Sequence, residues 1–242
     1  MEPDTFADRR AAILERIAGA AARSRRDAAA VEVVAVTKTV PPGRIRDAIA
    51  AGFRTLGENR VQERQAKVAE LEAVSTWPAG EQPSWHLIGP LQSNKARRAV
   101  ELFDVIETVD SVELARRLDR VAAELRPGGA LPVLLQVNVD ADPAKAGFSP
   151  GALERVLGEI LALPALSIRG LMTVGRLVPE PELARPTFVA LRELSDRLRA
   201  AHPALGDALS MGMSEDFEVA VEEGATHVRI GRAIFGPRPT LG

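Results

Sequence analysis

Short apolar segments rich in Val, Ile and Leu alternate with longer amphipathic segments from about residue 31 onward. The short segments have the composition of buried strands, and the longer ones have the spacing of helices with one apolar face. Eight segments are predicted as strands: Val31–Lys38, Thr55–Asn59, Trp85–Gly89, Val105–Asp110, Leu131–Asp140, Leu166–Val174, Ala208–Gly212 and His227–Phe235. This alternation predicts an α/β fold with a parallel sheet.

Start and stop signals delimit the helices between these strands. Pro, Ser or Asp residues, including Ser214, precede the predicted helices Arg44–Ala51, Val112–Leu125, Ala152–Leu163 and Glu215–Glu223. Gly52 and Gly224 stand where a left-handed residue would end a helix. The Pro- and Gly-containing stretch Ser75–Ser84 is predicted to be a surface loop within the domain.

The number of predicted strands favours a closed barrel. Eight parallel strands with right-handed crossovers close most readily into a (β/α)8 TIM-type barrel, although an open doubly wound sheet could use the same alternation. A further amphipathic helix, roughly Thr5–Ala22, precedes the first strand, and the sequence ends soon after the eighth. We therefore expect one domain over residues 1–242, in which the N-terminal helix covers the gap left by a missing eighth helix.

Composition limits the chemistry and the partners. Lys and Arg total 31 against 33 Asp and Glu, a net charge of −2, so no broad basic field for nucleic acid is expected. The chain has no Cys and three His, which leaves no thiolate and little material for a metal site. The N-terminus lacks a signal-peptide pattern, and no apolar run is long enough to span a membrane. We expect a cytoplasmic monomer with a small-molecule ligand.

Lys38 closes the otherwise apolar run of the first predicted strand. Working residues of β/α barrels lie where strands end, so this amine is expected to face the barrel mouth. Desolvation lowers the pKa of an amine, and a neutral amine can attack an aldehyde to form a Schiff base. On position alone, a lysine whose charged end reaches solvent is the simpler interpretation.

Two later strand ends contain residues suited to a phosphate. The seventh strand leads through Met211 to Ser214 directly before a helix, and the eighth leads through Gly231 to Arg232. Glycine allows close approach to backbone N–H groups, and Ser214 adds a hydroxyl at the helix start. The loops after strands seven and eight often form the phosphate site of such barrels. Together with Lys38, they predict a ligand that carries an aldehyde and a phosphate.

Arg229, on the last strand, is expected to point inward beside Lys38. A structural ion pair with one of the many acidic side chains is an equally simple interpretation. A guanidinium stays protonated, so beside a pyridine nitrogen it would disfavour protonation there. Carbanion chemistry on such a cofactor would be weakened.

Motifs along nearly the whole chain resemble those of one family. They are Val36–Val40, Gly57–Glu63, Trp85–Lys95, Val137–Val139 with Lys145–Gly147, Gly170–Thr173, Leu209–Asp216 and Val228–Gly236. They are similar to the YggS/PROSC family of pyridoxal phosphate homeostasis proteins. The resemblance implies the barrel of the alanine racemase N-terminal domain, and a role in binding and buffering pyridoxal 5′-phosphate.

The resemblance also implies roles for individual residues. Lys38 would form the Schiff base, Ser214 and the backbone around Gly231 and Arg232 would hold the phosphate, and Arg229 would face the pyridine nitrogen. The remaining pocket residues it implies are Asn59, His86 and Met211, although His86 and Met211 can equally be packing residues. Many relatives have a small hydroxyl residue at position 232, so the backbone N–H of Arg232 is the expected phosphate contact there.

Three functions are open on the sequence: a cofactor carrier, a racemase or decarboxylase that uses the cofactor, and a cofactor-free sugar-phosphate enzyme. Alanine racemases use a tyrosine from a second domain opposite the lysine, and this chain has no Tyr. General acid–base help is typically worth ~10²–10⁴-fold. We therefore expect a non-catalytic carrier with at most trace racemase activity, and apoenzymes that use pyridoxal phosphate as candidate recipients.

Overall fold

The computed structural model describes residues 5–72, 82–176 and 178–237. At its centre is a closed barrel of eight parallel strands in sequence order, in which the last strand pairs with the first. The strands are β1 (Glu32–Val36), β2 (Thr55–Glu58), β3 (Ser84–Leu87), β4 (Val105–Val109), β5 (Leu131–Gln136), β6 (Leu166–Met172), β7 (Ala208–Met213) and β8 (His227–Ile230). The barrel prediction is confirmed, and the open-sheet alternative is wrong.

Helices surround this barrel in the described part of the chain. They are α1 (Phe6–Arg23), α2 (Pro42–Ala50), α3 (Val61–Glu72), α4 (Ala96–Leu102), α5 (Val112–Leu125), α6 (Pro150–Leu161), α7 (Arg185–Ala201), α8 (Phe217–Glu222) and α9 (Arg232–Phe235). Gly52 and Gly224 adopt φ of +95° and +109° after α2 and α8, as predicted. Asp216, not Ser214, immediately precedes α8.

Several strand predictions extend too far at their C-terminal ends. The first strand ends at Val36, so Lys38 lies in the following loop, and the fifth ends at Gln136. The predicted eighth strand ends at Ile230, and its last residues form α9, in which Phe235 N–H donates to the Gly231 carbonyl. Apolar composition alone cannot separate a strand end from a short buried helix. Of the predicted loop Ser75–Ser84, residues 75–81 lie outside the described residues, and Ser84 begins β3.

Helix α1 covers the barrel between α2, α8 and α9, which confirms its predicted position, although the short α9 occupies part of the gap. Its first turn is closed by a capping box, because the Thr5 hydroxyl accepts from Asp8 N–H and the Asp8 carboxylate accepts from Thr5 N–H. The guanidinium of Arg16 lies 4.4 Å from the centre of the Phe217 ring. No helix in the described ranges is both long and apolar enough to cross a bilayer.

Two different environments lie on the two sides of the barrel wall. The shell between strands and helices is apolar, with fully buried side chains such as Leu118, Leu157 and Phe188. The inside contains a small apolar cluster formed by three side chains, Val34, Val36 and Ile88. Polar side chains fill the space beneath this cluster, whereas branched apolar side chains dominate most barrels of this type.

Candidate functional site

A cavity of about 700 Å³ opens at the C-terminal ends of the strands. This is the end where β/α barrels place their sites, and the volume is that of an ordinary small-molecule pocket. Residues after β1, β2, β7 and β8 and the loop after β6 line it. The polar side chains among the lining residues are Lys38, Asn59, Arg176, Ser214, Glu215, Asp216, Arg229 and Arg232.

A tight turn after β1 holds half-buried Lys38 at the cavity wall. Thr37 N–H donates to the Gly57 carbonyl at 2.9 Å, which continues the pairing with β2 past the strand end. Val40 N–H then donates to the Thr37 carbonyl at 2.9 Å, and Thr39 adopts φ of +62°. The lysine is therefore fixed between a paired backbone position and a left-handed residue.

Behind this turn lies a buried cluster centred on Glu58 and Lys67. Lys67 Nζ donates to Glu58 Oε1 at 2.6 Å and to the Thr37 carbonyl at 2.9 Å, and the Thr37 hydroxyl donates to Glu58 Oε1 at 2.7 Å. Burial raises the pKa of Glu58, and the Lys67 charge opposes this. The sequence interpretation missed Lys67, although it shares one helical face with Val61 and Leu71 and is buried like them.

Arg229 lies at the floor of the cavity with two of its nitrogens fixed. Its Nη1 donates to Ser210 Oγ at 2.7 Å and its Nη2 to the Thr173 carbonyl at 2.7 Å. Burial lowers the pKa of Arg229, and the charges of Glu107 and Asp216 oppose that shift. Arginine has so high a reference pKa that the guanidinium stays charged.

Glu107 continues this network across the barrel. Ser210 Oγ donates to its Oε2 at 2.5 Å, and His86 Nδ1 lies 2.7 Å from its Oε1. Burial alone would raise the pKa of Glu107, but the bond with His86 and the charges of His86, Arg229 and His227 lower it to about 2. Sequence reasoning missed Glu107. The feature that could have indicated it is the presence of a single acidic residue within the mainly apolar strand β4.

Two predicted pocket residues do not line the cavity. His86 is 4% exposed and is part of the network beneath the cavity. Met211 is fully buried in the shell outside the barrel, and Met213 lines the cavity instead. The pairing of β7 with β8 shifts register between Ser210 and Met213, so a simple alternation of faces does not predict which methionine turns toward the ligand.

The segments after β7 and β8 contact each other at the cavity wall. Ser214 Oγ accepts the Gly231 N–H at 3.2 Å, and Asp216 Oδ1 accepts the Met213 N–H at 2.6 Å. Burial raises the pKa of Asp216. A Cβ at position 231 would lie in ordinary van der Waals contact with Val36, so Gly231 lines the cavity wall without a steric need for glycine.

Arg232 lines the same region, and its Nη2 lies 3.0 Å from Glu215 Oε1 in an exposed ion pair. The structure thus brings six predicted site residues to one cavity: Lys38, Asn59, Ser214, Arg229, Gly231 and Arg232. It also adds Asp216, which sequence reasoning did not select. The sequence interpretation places Asp216 inside the predicted helix Glu215–Glu223, whereas the helix begins at Phe217 and leaves Asp216 at the cavity wall.

Comparison with known proteins places this architecture in a family. The family profile described as "Alanine racemase, N-terminal domain" matches residues 10–239. The pyridoxal phosphate homeostasis protein of Pseudomonas aeruginosa is 43% identical over 237 residues, which are 97% of this chain and 96% of that protein. The chain belongs to the pyridoxal phosphate homeostasis protein family.

Further relatives agree with this assignment. The pyridoxal phosphate homeostasis protein of Escherichia coli is 40% identical over 233 residues, 94% of each chain. The solved structure of PipY from Synechococcus elongatus, described with PLP bound, is 44% identical and superposes with a TM-score of 0.78. The match covers 93% of the present chain and 100% of the PipY chain.

Proposed function

We propose that this chain binds pyridoxal 5′-phosphate in the cavity as a Schiff base on Lys38, and carries or buffers the cofactor rather than using it in catalysis. The observation that supports this most is the convergence of Lys38, Arg229 and Ser214 in one cavity. These residues provide an amine for an aldehyde, a fixed cation for a ring nitrogen and a hydroxyl for a phosphate. Names in the family and the PLP-bound relative agree with that chemistry.

The cavity residues fit the cofactor in shape as well as in chemistry. Gly212 adopts φ of +90°, and a Cβ there would lie 2.5 Å from the Ala220 Cβ, so this turn requires glycine. The turn brings Ser214 against Gly231, which follows β8, and Lys38 follows the neighbouring strand β1. The amine for the aldehyde and the polar groups for the phosphate thus follow adjacent strands and line one cavity.

Each protein group has a separate task in this proposal. Lys38 supplies the amine, and the Thr37–Lys67 contact holds its turn. The guanidinium of Arg229 lines the cavity. Because it is permanently charged, it disfavours protonation of a ring nitrogen that faces it. When bound, the cofactor supplies an electrophilic aldehyde carbon and a ring that can withdraw electrons. With the ring nitrogen unprotonated, that withdrawal is weak, which suits storage better than catalysis.

The composition of the site also supports a carrier. The chain contains no Tyr, and the described residues lining the cavity include no His. An acid–base group opposite Lys38 would therefore have to come from Asp216 or Glu215. We infer at most trace racemase activity, because such a group typically contributes ~10²–10⁴-fold.

Visible absorbance tests the cofactor proposal, because the chain has four lysines, of which Lys38 alone lines this cavity. Purified wild type, Lys38→Ala and the matched control Lys95→Ala would each be titrated with pyridoxal phosphate, reduced with borohydride and digested for mass spectrometry. We expect a visible band and a phosphopyridoxyl mass on Lys38 in the wild type and the control, and neither in Lys38→Ala. A band that survives in Lys38→Ala, or a label on another lysine, would refute the assignment.

Exchange of the α-proton separates carrier from enzyme. The loaded protein would be incubated with L-alanine in D₂O and deuterium at Cα followed by NMR. We expect exchange no faster than with free pyridoxal phosphate at the same concentration. Fast exchange that Lys38→Ala abolishes would show an enzyme.

A further inference from the structure

Three side chains cross the inside of the barrel beneath the cavity. Glu107 lies on β4, Ser210 on β7 and Arg229 on β8, and each is at most 5% exposed. Strands β4 and β7 are not neighbours in the barrel, so the contact between Glu107 and Ser210 spans its interior. A buried carboxylate is unfavourable unless it is paired and hydrogen-bonded, so this arrangement calls for an explanation.

The direction of every hydrogen bond in this set follows from the donors available. Arg229 has only donors, so Ser210 Oγ accepts from it at 2.7 Å. The single hydroxyl proton of Ser210 then goes to Glu107 Oε2 at 2.5 Å, and His86 Nδ1 lies against the other oxygen at 2.7 Å. Glu107 Oε2 therefore accepts from Ser210, and the guanidinium cannot rotate without breaking this chain. Because the pKa of Glu107 is lowered to about 2, the carboxylate is ionised, and its Oε1 accepts from His86 in the tautomer that has its proton on Nδ1.

We propose that Glu107 is a positioning residue for Arg229: through Ser210 it orients the guanidinium toward the cavity, and its charge limits the field that Arg229 exerts on a ring held above. This inference rests on the proposed function, because it concerns how the site acts on a bound pyridine. The other titratable groups around this set are His86, His227 with its partner Glu32, and Asp216 at the cavity wall. Glu107 is the one whose charge is linked to Arg229 through a single hydroxyl.

A purely structural role for Glu107 predicts a different outcome. Such a role would change only stability on substitution, and the properties of a bound ligand would stay the same. If Glu107 has a positioning role, removal of its negative charge leaves the positive charge of Arg229 less balanced. Positive charge on the bound cofactor is then disfavoured, so the protonation midpoint of the Schiff base moves to lower pH.

The test uses the full chain loaded with pyridoxal phosphate and follows the visible spectrum as a function of pH. Glu107→Gln keeps the shape and removes the charge, and Glu159→Gln is a matched control on the surface of α6, where Glu159 pairs with Arg116 at 2.9 Å. We expect the midpoint of Glu107→Gln to fall by about one pH unit, from a charge acting over several ångströms at an effective dielectric near 20. The control should titrate as the wild type does.

Ser210→Ala removes the bridge and keeps the charge, so we expect a midpoint shift smaller than that of Glu107→Gln. If Glu107→Gln does not fold, Ser210→Ala and Glu107→Asp take its place, and Glu107→Asp should retain the wild-type midpoint. A folded Glu107→Gln with a wild-type midpoint would overturn the proposal, as would equal shifts in Glu107→Gln and Glu159→Gln.

Guanidinium NMR of the protein without ligand gives a readout that does not depend on the cofactor. The Arg229 N–H resonances, assigned by their loss in Arg229→Lys, should be separate in the wild type and move toward averaging in Ser210→Ala, because only the bond to the Thr173 carbonyl then restrains the guanidinium. A wild type without a visible band would refute the cofactor proposal while this NMR result still tested the positioning of Arg229. A visible band with averaged Arg229 resonances in the wild type would refute the positioning alone.

Discussion

Two buried carboxylates lie behind two of the basic side chains that line the cavity, Arg229 and Lys38, and they are held in opposite ways. Glu107, beneath Arg229, has hydrogen-bond partners on both oxygens, and its pKa is lowered to about 2. Glu58, behind Lys38, has both of its donors on Oε1, whereas its buried Oε2 has no donor among the described residues. Burial raises the pKa of Glu58, and the nearby Glu63 carboxyl helps to raise it.

Both carboxylates are fully buried, so burial does not distinguish them. Each has two hydrogen-bond donors, and the difference comes from where those donors lie and from the neighbouring charges. Glu107 is a fixed negative charge under Arg229, whereas Glu58 can take up a proton more readily. The region of Arg229 is therefore electrostatically rigid, and that of Lys38 can adjust.

The largest effect is expected for Lys67→Met, which removes the partner of Glu58 and the anchor of the Thr37 carbonyl. Breaking one side of a buried ion pair typically destabilises by about 3–5 kcal/mol. Urea unfolding near neutral pH measures this loss. The double variant Lys67→Met/Glu58→Gln should recover part of it, and strictly additive losses would contradict the pairing.

The pH dependence of stability should differ in sign between the two carboxylates. Glu107 has a pKa lowered from 4.5 to about 2, so its contribution is present above pH 4.5 and is lost as pH falls toward 2. The shift corresponds to about 3 kcal/mol in the free energy of unfolding. In Glu107→Gln this part of the loss of stability at acid pH should be absent, which unfolding experiments at a series of acid pH values measure.

Glu58 contributes in the opposite direction, because its raised pKa favours the protonated form in the fold. That contribution is present below its ordinary pKa and is lost as pH rises through the folded value. Relative to wild type, Glu58→Gln should therefore gain stability as pH rises. Parallel curves for Glu58→Gln and Glu107→Gln would show that the two regions do not differ.

Ser210→Ala tests the hydroxyl that joins Glu107 to Arg229. The substitution leaves Glu107 Oε2 without its donor and Arg229 Nη1 without its acceptor, which should lower the free energy of unfolding by about 1–3 kcal/mol. Thermal unfolding beside Ser195→Ala, a buried helical serine on α7, provides the comparison. An equal effect of the two substitutions would contradict a special role for the Ser210 bridge.

The smallest effect is expected at the exposed pair of Arg232 and Glu215 at the cavity edge. Their side chains are 57% and 66% exposed, and such pairs contribute about 0–1 kcal/mol. Glu215→Gln should leave the unfolding midpoint nearly unchanged. A loss as large as that of Lys67→Met would mean that exposure does not distinguish this pair from the buried ones.

Much of the fold could be predicted because the strand–helix alternation is a local signal that repeats eight times. The site residues at strand ends, such as Lys38 and Arg229, followed from where such barrels place their sites. Glu107 and Ser210 could not be paired in this way, because they are 103 residues apart and meet across the barrel. Met211 was implied as a pocket residue by the family resemblance, whereas a register shift between Ser210 and Met213 brings Met213 to the cavity, and composition does not reveal such a shift.

Helix α1 has a consequence for how the chain folds during its synthesis. Its arginines reach the last elements of the barrel, since Arg16 pairs with Glu218, Arg23 with Glu222, and Arg9 donates to the Ile234 carbonyl. Helix α1 therefore leaves the ribosome well before α8 and α9, the elements with which these arginines pair. Contacts over more than 190 residues are slow to form, so α1 is expected to dock on the barrel late in folding.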